Sequence, residues 1–405
     1  MKAALTFLLA ALTSAAPSLL LRRQDTKEYD VLAAPTADVA ALLESLGLSP
    51  ANDGVFATFD NARFRGFSGA VTEDEVEVLR AAEGVLSVRE VAQIAPAASR
   101  QDAPWGLQRV SQEGRVGVVG SATGRGYTYT WNDTSVLGDG VDIYVIDSGI
   151  YLEHDEFGGR AVLGFNYYSD KPGDVFGHGS HCAGTAAGET VGVATNANLI
   201  DVKTIADDGL GSSSGFFAGL DWILQSHANR STKPDFVASI VSMSISFSSV
   251  LDNVDTAVTE LAAGGIHVSI AAGNTYDDAC THSPSSAGGP GTDLLVVGAS
   301  TINDTILWFS STGPCVDVYA PGAEVVSAAV SGPSAYVSDS GTSMAAPHVA
   351  GLLAYFVGDE KALGGSPSAA KEKLVGIARG REGVLTVSAN FVEGGEVVLA
   401  GNGVA

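Results

Sequence analysis

Two apolar, β-branched runs in this chain each stop at a polar residue. Val141-Asp-Ile-Tyr-Val-Ile ends at Asp147, and His267-Val-Ser-Ile-Ala-Ala-Gly ends at Asn274. Continuous apolar runs of this kind suit central strands of a parallel sheet that is covered on both faces. Further strands are expected at Leu199-Ile-Asp-Val-Lys-Thr-Ile and at Ser239 to Ile245. Helices at Phe216 to Leu224 and Val254 to Leu261 alternate with them. Such alternation predicts an α/β fold with a doubly wound, mostly parallel sheet. Ligands in open α/β sheets bind at the carboxyl ends of the strands, which is where Asp147 falls. The chain has 405 residues, 45% of them hydrophobic and 49 of them Gly, enough for two domains and a packed core.

Three small-residue segments carry a set of groups that work together. Asp147 lies in Val-Ile-Asp147-Ser-Gly-Ile, His178 in Gly-His178-Gly-Ser-His-Cys-Ala-Gly-Thr, and Ser343 in Gly-Thr-Ser343-Met-Ala-Ala-Pro-His. A serine hydroxyl is a weak nucleophile until an imidazole takes its proton. The imidazole in turn needs a carboxylate to fix its tautomer and stabilise its cation. The order Asp…His…Ser excludes the α/β-hydrolase order Ser…Asp…His and the chymotrypsin-like order His…Asp…Ser. Ser343 precedes an apolar helix, Ala345 to Val357, with Pro347 expected in its first turn, where proline is tolerated. A serine at a helix N-terminus faces amides that favour developing negative charge.

These segments resemble the subtilisin-like serine peptidases (S8, or subtilases), most closely their fungal proteinase K-like branch, from about Pro104 onward. The resemblance implies a serine endopeptidase that works through an acyl-enzyme on Ser343. His178 would be general base then general acid, and Asp147 would orient it. Asn274 matches the family's oxyanion-hole Asn, acting beside the Ser343 backbone N–H. The substrate backbone would lie between Gly209-Leu210-Gly211-Ser and Ser244-Ile245-Ser246-Phe247. The family usually has Ser-Leu-Gly-Gly in the second segment, so Ser246 and Phe247 replace both glycines. That substitution is expected to narrow the pocket for the residue before the scissile bond. No cofactor is implied for the chemistry. Asp317 matches a calcium-liganding Asp of the family, but its partner loop, Ser285-Ser-Ala-Gly-Gly-Pro-Gly-Thr, departs in length and composition. Backbone carbonyls are left as the other donors for a structural calcium. His181 with His178 is a weak zinc signal, and His348 reads as a packing residue.

The N-terminal part has its own pattern. Met1-Lys2, the apolar stretch Ala3 to Leu12 and Thr13-Ser-Ala-Ala16-Pro read as a signal peptide over 1–16, too short to span a membrane. Secretion permits disulfides, and three Cys leave one pair and one free thiol. The family resemblance implies that Cys280 pairs with Cys315 and that Cys182 is the free, buried one. Asn132, Asn229 and Asn303 open N-glycosylation tripeptides. From Glu28 to about Ile94 the order is strand, helix, two strands, helix, strand, with a helix over Ala37 to Leu46 and a capping box at Thr72 to Glu75. This resembles the inhibitor-type propeptide of subtilases, a ferredoxin-like α+β domain over 17–100 that assists folding and occupies the active site. A permanent accessory domain is the alternative. Ala95 to Gln101 reads as an exposed linker for cleavage, with the peptidase domain over 101–405. The expected partners are protein or peptide substrates and the chain's own propeptide. A net charge of −24 argues against nucleic acid. A monomer without membrane attachment is expected. The rival reading is a non-catalytic relative that binds peptides.

Overall fold

The computed structural model describes residues 26–50, 54–91, 97–168, 172–381, 385–386 and 397–404. The expected signal segment lies outside them. The chain divides into two compact units between Ile94 and Ala95.

In the first unit, four antiparallel strands lie in the order Val55–Asp60, Arg65–Val71, Lys27–Ala33, Val85–Glu90. Helices Val39–Ser45 and Glu73–Ala81 connect them, giving the ferredoxin-like order of elements. The first helix begins at Val39 because the Asp38 carboxylate accepts the Ala41 N–H and caps it. At the second, Thr72 and Glu75 close a reciprocal capping box, a device worth about 1 kcal/mol. Val31, Leu43, Phe67, Val76 and Leu79 form its core.

The second unit is built on seven parallel strands. Their order is Ala161–Asn166, Asn198–Lys203, Val141–Asp147, Ala238–Met243, His267–Ala271, Leu295–Ser300, Val318–Pro321. The chain starts this sheet in the middle, lays two strands to one side, then crosses back and adds four to the other. Winding therefore reverses between Val141–Asp147 and Ala238–Met243, and a crevice is expected at their carboxyl ends. The strand Val141–Asp147 is buried on both faces. Val141, Ile143 and Val145 join a core with Ala183, Ala186 and Val349 of helices His178–Ala187 and Thr342–Asp359. Tyr144 and Ile146 join Phe216, Leu220 and Val258 of helices Ser213–Arg230 and Asp252–Ala263. Each such side chain, fully buried, contributes roughly 1.5–3 kcal/mol. That two-sided demand is why the run has no polar alternation.

Two expectations need correction. The stretch read as an exposed linker is ordered from Ala97 onward: Ala97–Pro104 is a strand antiparallel to Arg125–Asn132. Arg100 donates to the Glu189 and Gly192 carbonyls and covers the Tyr129 ring. The helix carrying Ser343 runs Thr342–Asp359, so Pro347 stands in its second turn, not its first. Its start is set by the Gly341 turn and not by the first apolar residue. Cys280 and Cys315 form a disulfide, and Cys182 is free and buried. No helix among the described residues is long and apolar enough to cross a membrane.

Candidate active site

Asp147 is the last residue of its strand, and His178 opens the small-residue helix His178–Ala187 beside it. The approach is close because Gly179 follows His178. A Cβ at Gly179 would collide with the Gly149 carbonyl and press on the Asp147 side chain. Both carboxylate oxygens of Asp147 reach His178 Nδ1, at 2.8 and 2.9 Å. The Ser148 N–H also donates to Asp147 Oδ1 at 2.7 Å, so a fully buried carboxylate is well matched. Burial is the largest single influence and works against protonating His178, but the charge and hydrogen bond of Asp147, together with Cys182, outweigh it and hold the imidazole pKa well above 6.5. Beneath them, Asp174 accepts from Ser148 Oγ, the Gly177 and Ser180 N–H groups and Ser180 Oγ at 2.8–3.0 Å. It anchors the turn that presents His178.

Ser343 arrives on the helix Thr342–Asp359, buried along nearly all its length. A proline cannot donate to the carbonyl four residues earlier, so Pro347 leaves the Ser343 carbonyl without its helical partner. Two side chains take its place: Ser244 Oγ donates at 2.9 Å and Cys182 Sγ at 3.3 Å. Burial raises the Cys182 pKa, so the thiol keeps its proton and can donate. Asp147, His178 and Cys182 offer ligand atoms within 4.8 Å of one another. The hydrogen bonds just named already account for their arrangement.

Asn274 follows the strand His267–Ala271. Its Oδ1 accepts from the Thr342 N–H at 2.9 Å and Thr342 Oγ1 at 3.0 Å. With the carbonyl end held, the amide nitrogen is the end left for a ligand. Gly341 keeps that space open, since a Cβ there would sit 3.2 Å from Asn274 Nδ2.

Two cavities flank these groups. One, of about 400 Å³, is lined by His178, Phe176, Gly209, Leu210, Gly211, Phe216 and Ser244 to Phe247. The other, of about 540 Å³, is lined by Ser343, Thr342, Asn274, Gly273, His282 and the same Ser244 to Phe247 segment. That segment is therefore the wall between them. The Phe247 ring packs edge-on against Phe216, with centroids 5.6 Å apart. The ring is thus turned toward Phe216, and a cavity of about 540 Å³ remains beside Ser343. Gly209, at φ +81°, lets Phe176 lie against the turn, where any Cβ would strike its ring. Leu210 and Phe176 are 69% and 52% exposed, so this rim is apolar. His282 lines the second cavity, with Nε2 2.8 Å from Asp277 Oδ2.

His181 and His348 are buried against the Val325 and Met344 carbonyls, and burial lowers both to about 4. Neither points to zinc or to the serine. Asp317 does not sit among free donors, because Lys371 Nζ lies 2.7 Å from its Oδ1.

Several contributors were not read from the sequence. Phe176 carried a usable signal, an aromatic directly before Gly177-His178. Asp174, Thr342, His282 and Lys371 carried none that was local.

The comparisons with known proteins agree with the architecture. Residues 138–394 match the subtilase family (Peptidase_S8). "Subtilisin-like protease 2" of Pseudogymnoascus destructans is 40% identical over 81% of this chain and 76% of its own length. "Alkaline protease 2" of Aspergillus fumigatus is 38% identical over 75% of this chain and 61% of its own. A crystal structure of a cold adapted subtilisin-like serine proteinase is 32% identical, with a TM-score of 0.61. It matches 74% of this chain and 98% of that one.

Proposed function

This chain belongs to the subtilase family of serine endopeptidases, and we propose that Asp147, His178 and Ser343 are its catalytic triad. The observation that carries the proposal is the Asp147–His178 pair, a buried carboxylate with both oxygens on Nδ1. Fixing the proton on Nδ1 leaves Nε2 as the base for a hydroxyl. Ser343 attacks the substrate carbonyl, and His178 takes its proton and then gives it to the leaving amine. Asn274 Nδ2 and the Ser343 N–H hold the oxyanion, and water hydrolyses the acyl-enzyme. The substrate backbone lies along Gly209 to Gly211 and Ser244 to Phe247, the edges of the two cavities. Peptide bonds of proteins are the substrate, and the chemistry needs no cofactor.

We further propose that the protein is secreted as a proenzyme. Residues 1–16 act as the signal, and the ferredoxin-like unit acts as a propeptide that inhibits and helps fold the enzyme until autocatalysis removes it. The mature form is read as a monomer.

A fluorophosphonate probe tests the central claim. It should label the enzyme once, at Ser343, and Ser343→Ala should lose labelling, lose peptidase activity and be secreted untrimmed. Labelling elsewhere, or peptidase activity retained in Ser343→Ala, would overturn the assignment. Normal trimming of that variant would assign maturation to another protease.

A further inference from the structure

The oxygen cluster at Asp317 is already filled by a cation of the protein's own. Lys371 Nζ lies 2.7 Å from Asp317 Oδ1, 2.7 Å from the Leu294 carbonyl and 3.0 Å from the Gly289 carbonyl, with Thr292 Oγ1 at 3.4 Å. The other Asp317 oxygen accepts the Val296 N–H at 2.9 Å and, more weakly, the Gly289 N–H at 3.4 Å. An ammonium has three donors, and three short contacts use them all. The Asp317 and Lys371 side chains are only 4% and 12% exposed, so the pair is largely out of water.

A calcium ion does not fit this arrangement. It takes six to eight oxygens at about 2.3–2.6 Å, whereas these oxygens are spaced for N–H···O bonds around a nitrogen. Any ion entering here would have to expel Nζ. The Gly-rich loop is part of the reason. Gly289, at φ +96°, passes so close to Pro314 and Cys315 that any Cβ would collide. Its carbonyl thereby turns to Lys371, which the helix Pro367–Gly380 brings in from the far end of the chain.

We propose that Lys371 is the resident cation of this site and does the work of a structural divalent ion. It ties the loop, the Asp317 strand entrance and the helix Pro367–Gly380 together without metal. The enzyme is then insensitive at this site to calcium supply and to chelators.

The test uses the mature enzyme, blocked with a serine-protease inhibitor to prevent self-digestion. Lysines are reductively methylated in EDTA and in millimolar calcium, and Lys371 is followed by peptide mass. It should be protected to the same extent in both. Melting is followed for the wild type, Lys371→Met, Asp317→Asn and the double variant. Lys371→Met should lower Tm in EDTA by several degrees, and adding Asp317→Asn should recover part of that loss. Lys371 becoming reactive when calcium is added would overturn the proposal. So would a calcium-dependent rise in wild-type Tm that Asp317→Asn abolishes, or a Lys371→Met protein as stable in EDTA as the wild type.

Discussion

Cys182 Sγ lies 3.3 Å from the carbonyl oxygen of Ser343. The free thiol thus touches the backbone of the proposed nucleophile, at the one helical carbonyl that Pro347 leaves unmatched. With Ser244 Oγ it completes a helix from outside the helix.

Removing both donors should therefore destabilise more than removing either. A buried carbonyl left unmatched costs about 1–3 kcal/mol. Cys182→Ala with Ser244→Ala should lose about that much in urea unfolding. Adding Pro347→Ala restores an N–H four residues on and should recover part of the loss. No recovery would mean that the proline is there for another reason.

Asn274→Ala should lower kcat about 100- to 1,000-fold with KM little changed, a magnitude taken from the known loss of such a donor in bacterial subtilisin. Thr342→Val keeps the backbone donor to Asn274 and removes the hydroxyl, so its loss should be smaller. Steady-state kinetics on one peptide substrate decide this, and an effect confined to KM would count against the oxyanion role.

Catalysis needs neutral His178, so kcat/KM should fall as pH drops through the imidazole pKa. Because Asp147 holds that pKa up, the acid limb should lie above 6.5. Asp147→Asn removes the charge. It should move the limb down while lowering kcat by about 10⁴. A wild-type limb at or below 6.5 would show that burial outweighs the carboxylate.

Phe247 stands between two cavities, so Phe247→Gly should alter selectivity at two substrate positions at once. Large side chains before the scissile bond should gain about tenfold or more in kcat/KM. Libraries varied at each position separately would report this, and a change at one position alone would place the ring in a single pocket.

Asp201 is fully buried, and burial pushes its carboxyl up to about 7. Neither oxygen makes a hydrogen bond of normal geometry. An unfolded Asp ionises near 3.8, so the folded state holds an extra proton between 3.8 and about 7. Stability then declines as pH rises through that window, and the full penalty applies above it. Asp201→Asn should raise Tm by several degrees above pH 7, with the gain shrinking as pH falls. A pH-independent gain would mean that packing is responsible.

The sheet and the closeness of Asp147 to His178 were legible because each rests on short segments. Val141 to Asp147 shows two-sided burial in its own composition, and Ser343 announces a helix N-terminus. The first turn of that helix was misplaced because the Gly341 turn, and not the apolar pattern, sets its start. Asn274 was legible as a residue, but its hold by Thr342 was not. The ordering of Ala97 to Gln101 was hidden because small residues read as exposed, while their pairing partner lies in Arg125–Asn132. Lys371 and Asp317 are far apart in the chain, and neither segment mentions the other. The Phe247 ring could not be oriented without knowing where Phe216 stood.

The pairing of Ala97–Pro104 with Arg125–Asn132 imposes a sequence of events on any cut made nearby. A protease reads an extended segment whose own backbone groups are free to bind. Here one edge of the segment is already engaged with Arg125–Asn132, and Arg100 is pinned by two carbonyls and an aromatic ring. A cut beside Arg100 therefore requires the strand to unzip before it can be read. A cut that leaves Ala97–Pro104 whole requires no unzipping of it, and that strand stays stitched to Arg125–Asn132.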